Sequence, residues 1–479
     1  MTGLYVLRIA FFSAEGIWGS LTGIAAVYIA LFVVFGAILL TSGGGKMLID
    51  LALLLTGRYR GGPAKVAVIA SSMFGTLSGS SLANVATTGA FTIPLMKSLG
   101  YEPKFAGAVE AVASTGGSIM PPIMGTAAFI MAEFLGIPYL QIIIAAFVPA
   151  ILFYTSVFMG VHFQAVKLDL KPVPAEQRPH PKDILTYPRI SGLAIPVGVL
   201  IFLLVRGYSL PMVGGGICTA AILAYIFSDL SWSNMKERLR RMLPCLEAGG
   251  KALMFLTPVL VCANIVLGLL VGTGLIMKFS YLLVSFGQEN LWLSLGIVAL
   301  LVMILGTGLP ATASYVIGVA VGASLHIGWG ILPLAAHLFV FYYARVAVIT
   351  PPVCAAVFIA SSIAKSEWLP TAFTAVKLAP LLYLMPFIFV GDNTFLLMGP
   401  IPLILLNVST AIFGVIMLAS GVIGQFIVRS KRYERLAMIA AGLFLLIPGW
   451  QLDLLGAILS AAVIARQILQ RRKEAQLTG

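Results

Sequence analysis

Charged residues are scarce in this chain. They make up 10% of its 479 positions, and Asp and Glu together number 17. Soluble proteins carry about 25% charged residues, so the composition excludes an ordinary soluble domain. The chain is instead 60% hydrophobic, with a mean hydropathy of +1.03. These values indicate a polytopic membrane protein.

Cysteines and the common catalytic motifs are also scarce or missing. The four cysteines are scattered singly without CxxC spacing, so we interpret them as apolar filler rather than ligands or disulfides. There is no HExxH zinc pair, no GxGxxG or GxxxxGK[ST] phosphate loop and no GxSxG elbow. We therefore expect no enzyme, no cofactor and no resident metal.

Long uncharged runs dominate the rest of the sequence. A transmembrane helix needs roughly 20 apolar residues, and runs of this length favour helices over a barrel. The clearest runs are residues 21–40, 136–161, 207–228, 252–277 and 394–428. Two further uncharged stretches, 290–344 and 346–364, hold many Gly and Pro residues. The sequence predicts an all-α membrane protein of about 10 to 13 hydrophobic segments.

The net charge of +13 is carried by short loops between the apolar runs. Such a Lys and Arg bias marks cytoplasmic loops and makes a nucleic-acid partner unnecessary. It predicts a cytoplasmic C-terminus, because basic residues cluster at 429–435 and 471–473.

Two stretches of small and polar residues interrupt the apolar runs and resemble each other. "GTLSGSSLANV" at 75–85 aligns with "GTGLPATASYV" at 306–316 at an offset of 231. Downstream, Pro121 and Pro122 align with Pro351 and Pro352 at an offset of 230. Small residues also let helices pack closely, which would account for one such stretch. Two anchors with nearly the same offset predict an internal repeat.

The paired prolines should each break a membrane helix into two halves. Broken backbone at membrane depth is tolerated only where it is buried in protein or lines a cavity. Freed carbonyls can bind a cation, and half-helix N-termini can bind an anion. Matching interruptions in two halves are typical of a secondary transporter. A channel with re-entrant filter loops is the alternative.

These features divide the chain into six parts. In order, they are N-terminal helices (1–62), a first repeat (63–162, with hairpin 75–98 and broken helix 104–135), a polar connecting loop (163–189), intervening helices (190–289), a second repeat (290–391, with hairpin 306–325 and broken helix 328–364) and C-terminal helices with a basic tail (392–479).

The repeated motifs resemble a known family. "GRYRGGPAKVAVIASSMFGTLSGSSLANVATTGAFTIPLMKSLGY" and "AGAVEAVASTGGSIMPPIMGTAAFIMAEF", with "LGTGLPATASYV" and "ITPPV" in the second half, look like the large membrane subunit of tripartite ATP-independent periplasmic (TRAP) transporters, in the branch served by a TAXI-type binding protein. The resemblance implies an elevator-type transporter of the bacterial inner membrane with two inverted repeats. It also implies cation-driven uptake of a small organic anion, a carboxylate, delivered by a periplasmic binding protein.

Carried over residue by residue, the resemblance implies two cation sites flanking a substrate site. Hydroxyl, amide and backbone oxygens suit Na+, a hard cation. The first cation site would comprise Ser78, Ser81, Asn84, Thr115, Gly116 and Gly117. The second would comprise Gly306, Thr307, Pro310, Thr312, Thr350 and Pro351. A substrate carboxylate would lie between the hairpins, near Ser80, Ser118 and Arg345.

Arg345 departs from the family pattern, which usually has a glycine-methionine-leucine-serine type stretch before the second double proline. An intramembrane arginine is by default a functional-site hypothesis. It could bind a substrate carboxylate, or its charge could replace the second Na+. The structural alternatives are an ion pair with Glu110 or Glu133, or snorkelling to the interface.

The coupling ion stays open between Na+ and H+. Glu110 and Glu133 lie in apolar surroundings, and either could carry a proton. The helices that precede the matched region in this branch are missing from the sequence. A separate small membrane subunit, a branch that works without one, or a truncated chain would each explain this.

Overall fold

Helices make up the regular structure of the chain. The computed structural model describes residues 3–13, 16–184, 186–228, 232–275, 278, 290–322 and 329–478. Within these ranges there is no β-strand, only one isolated bridge between Gln425 and Arg429. The predicted all-α class is confirmed.

The first half of the chain contains nine helices within the described ranges. They are α1 (Gly3–Phe12), α2 (Ser20–Ile24), α3 (Ala30–Thr41), α4 (Gly44–Thr56), α5 (Gly62–Ser78), α6 (Ser81–Ser98), α7 (Pro103–Gly117), α8 (Thr126–Leu135) and α9 (Tyr139–Lys167). A π-helical turn, Ala25–Ile29, joins α2 to α3 without a gap.

The rest of the chain continues in the same way. Its helices are α10 (Pro181–Ile184), α11 (Tyr187–Val205), α12 (Leu210–Ile226), α13 (Trp232–Gly272), α14 (Leu291–Gly308), α15 (Ala311–Gly322), α16 (Pro333–Val346), α17 (Ala355–Ala364), α18 (Trp368–Leu378), α19 (Pro380–Gly391), α20 (Ile401–Ile423), α21 (Arg432–Leu446) and α22 (Trp450–Thr478). Short 3-10 turns occupy Ala175–Gln177 and Asn393–Leu396.

Five described helical segments are long and apolar enough to cross a membrane, and bent pairs raise the number to seven. The five are Ser20–Thr41, Tyr139–Lys167, Asn234–Gly272, Ile401–Ile423 and Trp450–Glu474. Several other apolar helices are only 10–17 residues long, including α8, α15 and α17. The hydrophobic segments of the sequence are therefore divided between full spans and shorter helices.

The helices recur at the interval of the sequence motifs. The starts of α14, α15, α16, α17 and α18 follow those of α5, α6, α7, α8 and α9 by 229 or 230 residues in every case. The long α9 corresponds to two helices, α18 and α19, which meet at a 40° bend. The two stretches thus share one order of elements.

Local sequence explains where these helices start and stop. Pro103 and Pro333 open α7 and α16, because proline has no N–H to lose in the first turn of a helix. Gly79 ends α5 with φ of 63°, a left-handed conformation that favours glycine. The arm of the first hairpin starts at Gly62, well before residue 75, where the hairpin was predicted to begin.

The two proline breaks have similar backbones. In the first, the Gly125 N–H donates to the Ser118 carbonyl at 2.8 Å, and in the second the Ala356 N–H donates to the Val348 carbonyl at 3.1 Å. The bonds Pro121-Pro122 and Pro351-Pro352 are both cis. Each break therefore closes on itself by one backbone hydrogen bond before the next half-helix begins.

The other predicted boundaries can be compared with the observed ends of the helices. The first broken helix spans α7 and α8, Pro103 to Leu135, and the predicted connecting loop is shortened because α9 continues to Lys167 and α11 starts at Tyr187. Residues 323–325 of the second hairpin and residue 328 lie outside the described residues, as do several positions between 276 and 289.

The two halves pack into one another. Helices α5, α6 and α7 pack together, and α17 of the second half lies against both α6 and α7. In return, α8 of the first half lies against α15 and α16. The region around the first break is therefore largely buried in protein, whereas Pro352 and Val353 in the second break are exposed in this conformation.

Candidate functional site

The tip of the first hairpin lies directly on the first break. A Cβ on Gly79 would lie 2.1 Å from the Met124 carbonyl oxygen, so glycine is required by space as well as by conformation. Thr76 Oγ1 donates to the carbonyls of Pro121 at 2.7 Å and Met120 at 3.2 Å. This hairpin and break form one packed unit.

Beside this tip, helices α5 and α7 cross so closely that their backbones are in contact. A Cβ on Gly75 would lie 2.3 Å from the Cα of Gly117. The neighbouring Gly116 faces Phe153, where a Cβ would meet the ring at 2.1 Å. Asn84 is fully buried beside the crossing and donates from Nδ2 to the Ser71 carbonyl at 2.8 Å. Both glycines of the predicted cation site are thus needed for packing.

The remaining residues of the first predicted cation site lie nearby. Ser81 Oγ donates to Ser118 Oγ at 3.1 Å, and Ser118 Oγ donates to the Thr115 carbonyl at 2.8 Å. Thr115 uses its own hydroxyl on the Ala111 carbonyl. Ser78 Oγ is buried without a hydrogen-bond partner among the described residues. The structure therefore brings these oxygens to the hairpin and break, with one of them unsatisfied.

Ser80, predicted to contact substrate, has a structural role in this conformation. It is exposed and caps α6 by accepting a hydrogen bond from the Ala83 N–H at 3.4 Å. Ser118, its predicted companion, is fully buried. Ser80 is therefore exposed and Ser118 is buried, although Ser80 precedes Ser81 in the chain and Ser118 is hydrogen-bonded to it.

Glu110 lies at the centre of a cluster of hydroxyl groups. The fully buried carboxylate accepts from Ser71 Oγ at 2.8 Å, Thr88 Oγ1 at 2.5 Å and Ser114 Oγ at 2.9 Å on Oε1, and from Thr92 Oγ1 at 2.5 Å on Oε2. We did not single out these four partners in the sequence. Their spacing was a usable signal, because residues four apart share one face of a helix, as Asn84, Thr88 and Thr92 do.

Glu133 has a different environment from Glu110. It is exposed near the end of α8 and accepts a hydrogen bond from the Tyr28 hydroxyl at 3.3 Å. Of the two predicted proton carriers, only Glu110 is buried.

The polar groups of the second predicted cation site make fewer contacts with one another than those of the first. A Cβ on Gly306 would meet the Ala347 Cβ at 2.4 Å, so α14 and α16 also cross closely. Thr307 donates to the Ile304 carbonyl, while Thr350 donates to the Val346 carbonyl and pairs with the Tyr383 hydroxyl at 2.7 Å. Pro310 and Pro351 are partly buried at the hairpin and the break. No hydrogen bond among the described residues joins Thr307 to Thr350.

Thr312 faces the first half instead. Its Oγ1 is 2.7 Å from Thr126 Oγ1, at the start of α8. This hydroxyl pair joins the second hairpin to the half-helix that follows the first break.

Arg345 lies in the same region. Arg345 is 5% exposed, and a Cβ on Gly125 would lie 1.8 Å from Arg345 Nη2. Gly125 is the N-cap of α8, so the guanidinium lies against the N-terminal end of that helix. The guanidinium also lies over the Phe341 ring, 5.2 Å from the centroid.

The polar atoms of Arg345 are largely unsatisfied. In the described part of the chain, Nε and Nη2 are buried without a hydrogen-bond partner, and no ion pair joins this arginine to Glu110 or Glu133. The side chain does not snorkel, because it is buried. A buried guanidinium without hydrogen-bond partners is energetically costly.

A further polar pair occupies the second half. His337 Nδ1 lies 2.8 Å from the Tyr315 hydroxyl, and both residues are buried. This agrees with a packing role for the histidine. No group of three or more His, Cys, Asp or Glu side chains placed to hold a metal occurs among the described residues.

Comparisons with known proteins agree with the architecture. Residues 8–404 match the family described as "Tripartite ATP-independent periplasmic transporter, DctM component", and residues 404–473 match a domain of unknown function.

Individual relatives have low sequence identity to this chain, but two of the matches cover most of its length. The chain is similar to the C4-dicarboxylate TRAP transporter large permease protein of Pseudomonas aeruginosa, with 25% identity over 70% of this chain and 76% of that protein. It is 25% identical to an uncharacterised protein of Salmonella typhimurium over 72% of this chain and 77% of the relative. A 2,3-diketo-L-gulonate TRAP transporter large permease of Escherichia coli matches at 28% over 33% of this chain and 36% of the relative.

Proposed function

This chain belongs to the family of the DctM component of tripartite ATP-independent periplasmic transporters, and on that premise we propose that it carries a small organic anion with a carboxylate group across the bacterial inner membrane. It is a multi-pass transporter permease and not an enzyme. The names of its relatives include a C4-dicarboxylate and 2,3-diketo-L-gulonate, which are carboxylic acids or their anions. A carboxylate is therefore the group that the site must recognise.

Arg345 is the observation that carries this proposal. Its guanidinium is buried with Nε and Nη2 unpartnered, at the N-terminus of α8. A guanidinium binds a carboxylate by two parallel hydrogen bonds, and a helix N-terminus also favours an anion. Thr126 and Thr312 lie beside the same helix end and could orient the rest of the substrate.

Cation coupling would use the first hairpin and break. Ser81, Asn84, Thr115 and Ser78 supply oxygens of the kind that Na+ prefers. Because the second site is less convergent, and because Arg345 supplies a fixed positive charge there, we place coupling chiefly in the first half. Either a Na+ or an H+ gradient would drive uptake, by an elevator movement of the two hairpins.

The partners follow from the same premise. A periplasmic binding protein, of the TAXI type, would deliver the substrate, and a separate small membrane subunit would complete the permease. By the positive-inside rule, the basic residues at 429–435 and 471–473 support a cytoplasmic C-terminus, which we include in the proposal.

Counterflow in proteoliposomes tests this proposal. The chain is reconstituted in liposomes with its binding protein, and with its small subunit if it has one. The liposomes are loaded with an unlabelled C4-dicarboxylate or 2,3-diketo-L-gulonate, and a trace of the labelled compound is added outside. A carrier accumulates label transiently by exchange, whereas a channel only equilibrates it. Imposing Na+ and pH gradients separately then identifies the driving ion. Absence of exchange with every carboxylate, from an otherwise folded complex, would contradict the proposal.

Arg345→Gln and Arg345→Lys separate the two roles of this residue. If Arg345 binds the carboxylate, both variants weaken substrate binding, and Lys rescues only in part because it lacks the planar fork. If its charge replaces a second cation, Lys restores the wild-type ion dependence and Gln does not. Unchanged binding and coupling in both variants would exclude both roles.

A further inference from the structure

Glu110 is a buried acid that neither the carboxylate site nor the Na+ ligands require. It lies on α7, fully buried, and four hydroxyl groups from α5, α6 and α7 surround it. Each of the four oxygens is 2.5 to 2.9 Å from a carboxylate oxygen, which is direct hydrogen-bond distance. The hydroxyls can therefore satisfy the ionised carboxylate without a metal ion.

The hydroxyls also have other acceptors within reach. Thr88 carries one hydroxyl proton but has four possible acceptors, namely Glu110 Oε1 at 2.5 Å, the Asn84 carbonyl at 2.8 Å, Ser71 Oγ at 3.0 Å and Asn84 Oδ1 at 3.1 Å. Thr92 likewise reaches the Thr88 carbonyl at 3.0 Å as well as Glu110 Oε2 at 2.5 Å. Each threonine can turn away from the carboxylate without losing its hydrogen bond.

This arrangement accommodates two protonation states. When Glu110 is ionised, it accepts from all four hydroxyls. When it is protonated, its O–H donates to Thr88 Oγ1 or Thr92 Oγ1, and that threonine donates to its own helix instead. Because a hydroxyl both donates and accepts, no group in the cluster is left unpaired in either state. The i−4 carbonyls are acceptors that a helical threonine normally has within reach, so the change of partner requires no movement of the helices.

The surrounding helices offer Glu110 no compensating charge. The titratable side chains on the five helices packed against α7 are Lys65, Lys97, Tyr139, Tyr154, His162, Lys167 and Lys377. Helix α17 carries none, and α7 itself also carries Lys104. Of these, Tyr154 interacts electrostatically with Glu110, and its hydroxyl donates to the Ala113 carbonyl at 2.7 Å. No ion pair to Glu110 occurs among the described residues. The cluster can therefore gain or lose one charge without breaking a salt bridge.

A proton fits this cluster better than a metal cation does. A proton occupies an existing short oxygen–oxygen contact. A metal ion bound to the same oxygens would have to separate them, because each now touches the carboxylate directly. We propose that Glu110 binds and releases a proton during transport, with the Thr88 hydroxyl turning between the carboxylate and Asn84 as it does so. This assignment rests on the proposed transport function and makes H+ the ion bound at this position.

Infrared difference spectroscopy tests the proposal without a substrate. The chain is reconstituted in liposomes, and spectra recorded at acidic and alkaline pH are subtracted to isolate the carbonyl stretch of carboxylic acids. The chain has 17 acidic side chains, and each contributes to the pH-dependent band. We therefore expect Glu110→Gln to remove one component of that band, at the frequency of a hydrogen-bonded buried acid, and Glu133→Gln, the exposed control, to retain that component. Thr88→Val should shift its frequency, because one hydrogen-bond partner is removed.

The outcomes are decisive in each case. A pH-difference spectrum of Glu110→Gln that is identical to that of the wild type overturns the proposal. If Glu110→Gln does not elute as a folded protein, Thr92→Val replaces it, and an unshifted band in that variant also overturns the proposal. A titrating band with no exchange of any carboxylate would contradict the proposed cargo and leave the proton site standing, so the two failures are distinguishable.

Discussion

The guanidinium of Arg345 occupies the space into which a side chain at Gly125 would project. A Cβ at Gly125 would lie 1.8 Å from Nη2, although the two residues belong to opposite halves of the chain. This relationship makes Gly125 a sensitive position for testing the site.

Gly125→Ala should displace the guanidinium and impair transport while leaving the helices intact. Losing a buried charge pair costs about 2–5 kcal/mol, so we expect substrate binding to weaken by roughly 30-fold or more. Concentration-dependent counterflow measures the effect. Gly198→Ala is the matched control, because a Cβ there meets nothing within 4 Å. Equal affinity in the two variants would show that Arg345 can move without consequence.

The crossing of α5 and α7 should be intolerant of any side chain. Gly75→Ala places a Cβ 2.3 Å from the Gly117 Cα, so two backbones must separate. Overpacking of this kind costs about 1–3 kcal/mol or more, and we expect a lower thermal midpoint in detergent. Gly250→Ala, in open space within α13, should raise or maintain the midpoint. A Gly75→Ala protein as stable as the Gly250→Ala protein would contradict the close crossing.

Asn84→Ala and Ser81→Ala should weaken the ion dependence of uptake. Each removes an oxygen from the proposed first cation site, and Asn84→Ala also leaves the Ser71 carbonyl without its donor. Uptake measured against Na+ concentration at fixed pH, and against pH at fixed Na+, reports the change. Ser409→Ala serves as the control, because Ser409 is an exposed serine on α20 whose hydroxyl bonds only its own helix. Wild-type ion responses in both test variants would refute this site.

The pair formed by Thr126 and Thr312 should couple the two halves energetically. Thr126→Val and Thr312→Val each remove one hydroxyl of a 2.7 Å contact, and the double variant removes both. We expect a coupling energy of about 0.5–1.5 kcal/mol in a double-mutant cycle of thermal stability. Strictly additive effects would mean that the contact contributes nothing.

The sequence predicted the arrangement of elements better than their contacts. The paired prolines and small-residue stretches located both breaks, since proline acts on its own backbone. The first repeat was predicted to start at residue 63, one residue after α5 begins at Gly62, whereas the predicted hairpin, 75–98, was drawn around the small-residue stretch alone.

The contacts depended on which helix faces meet, which one chain does not reveal. Arg345 drew attention by its charge, but its position beside Gly125 joins residues 220 positions apart only through tertiary packing. An ion pair with Glu110 seemed a reasonable alternative on composition alone. It does not form because hydroxyls of α5 and α6 already surround that carboxylate.

The exchange of half-helices between the two repeats has a consequence for biosynthesis. The surfaces that receive α17 belong to α6 and α7, which leave the ribosome earlier, whereas α8 must wait for α15 and α16. Thr126 has no Thr312 to bond until 186 further residues have been added, and Gly125 has no guanidinium beside it until 220 have been added. The first half of a nascent chain therefore enters the membrane without these contacts, and they form only when the second half has been inserted.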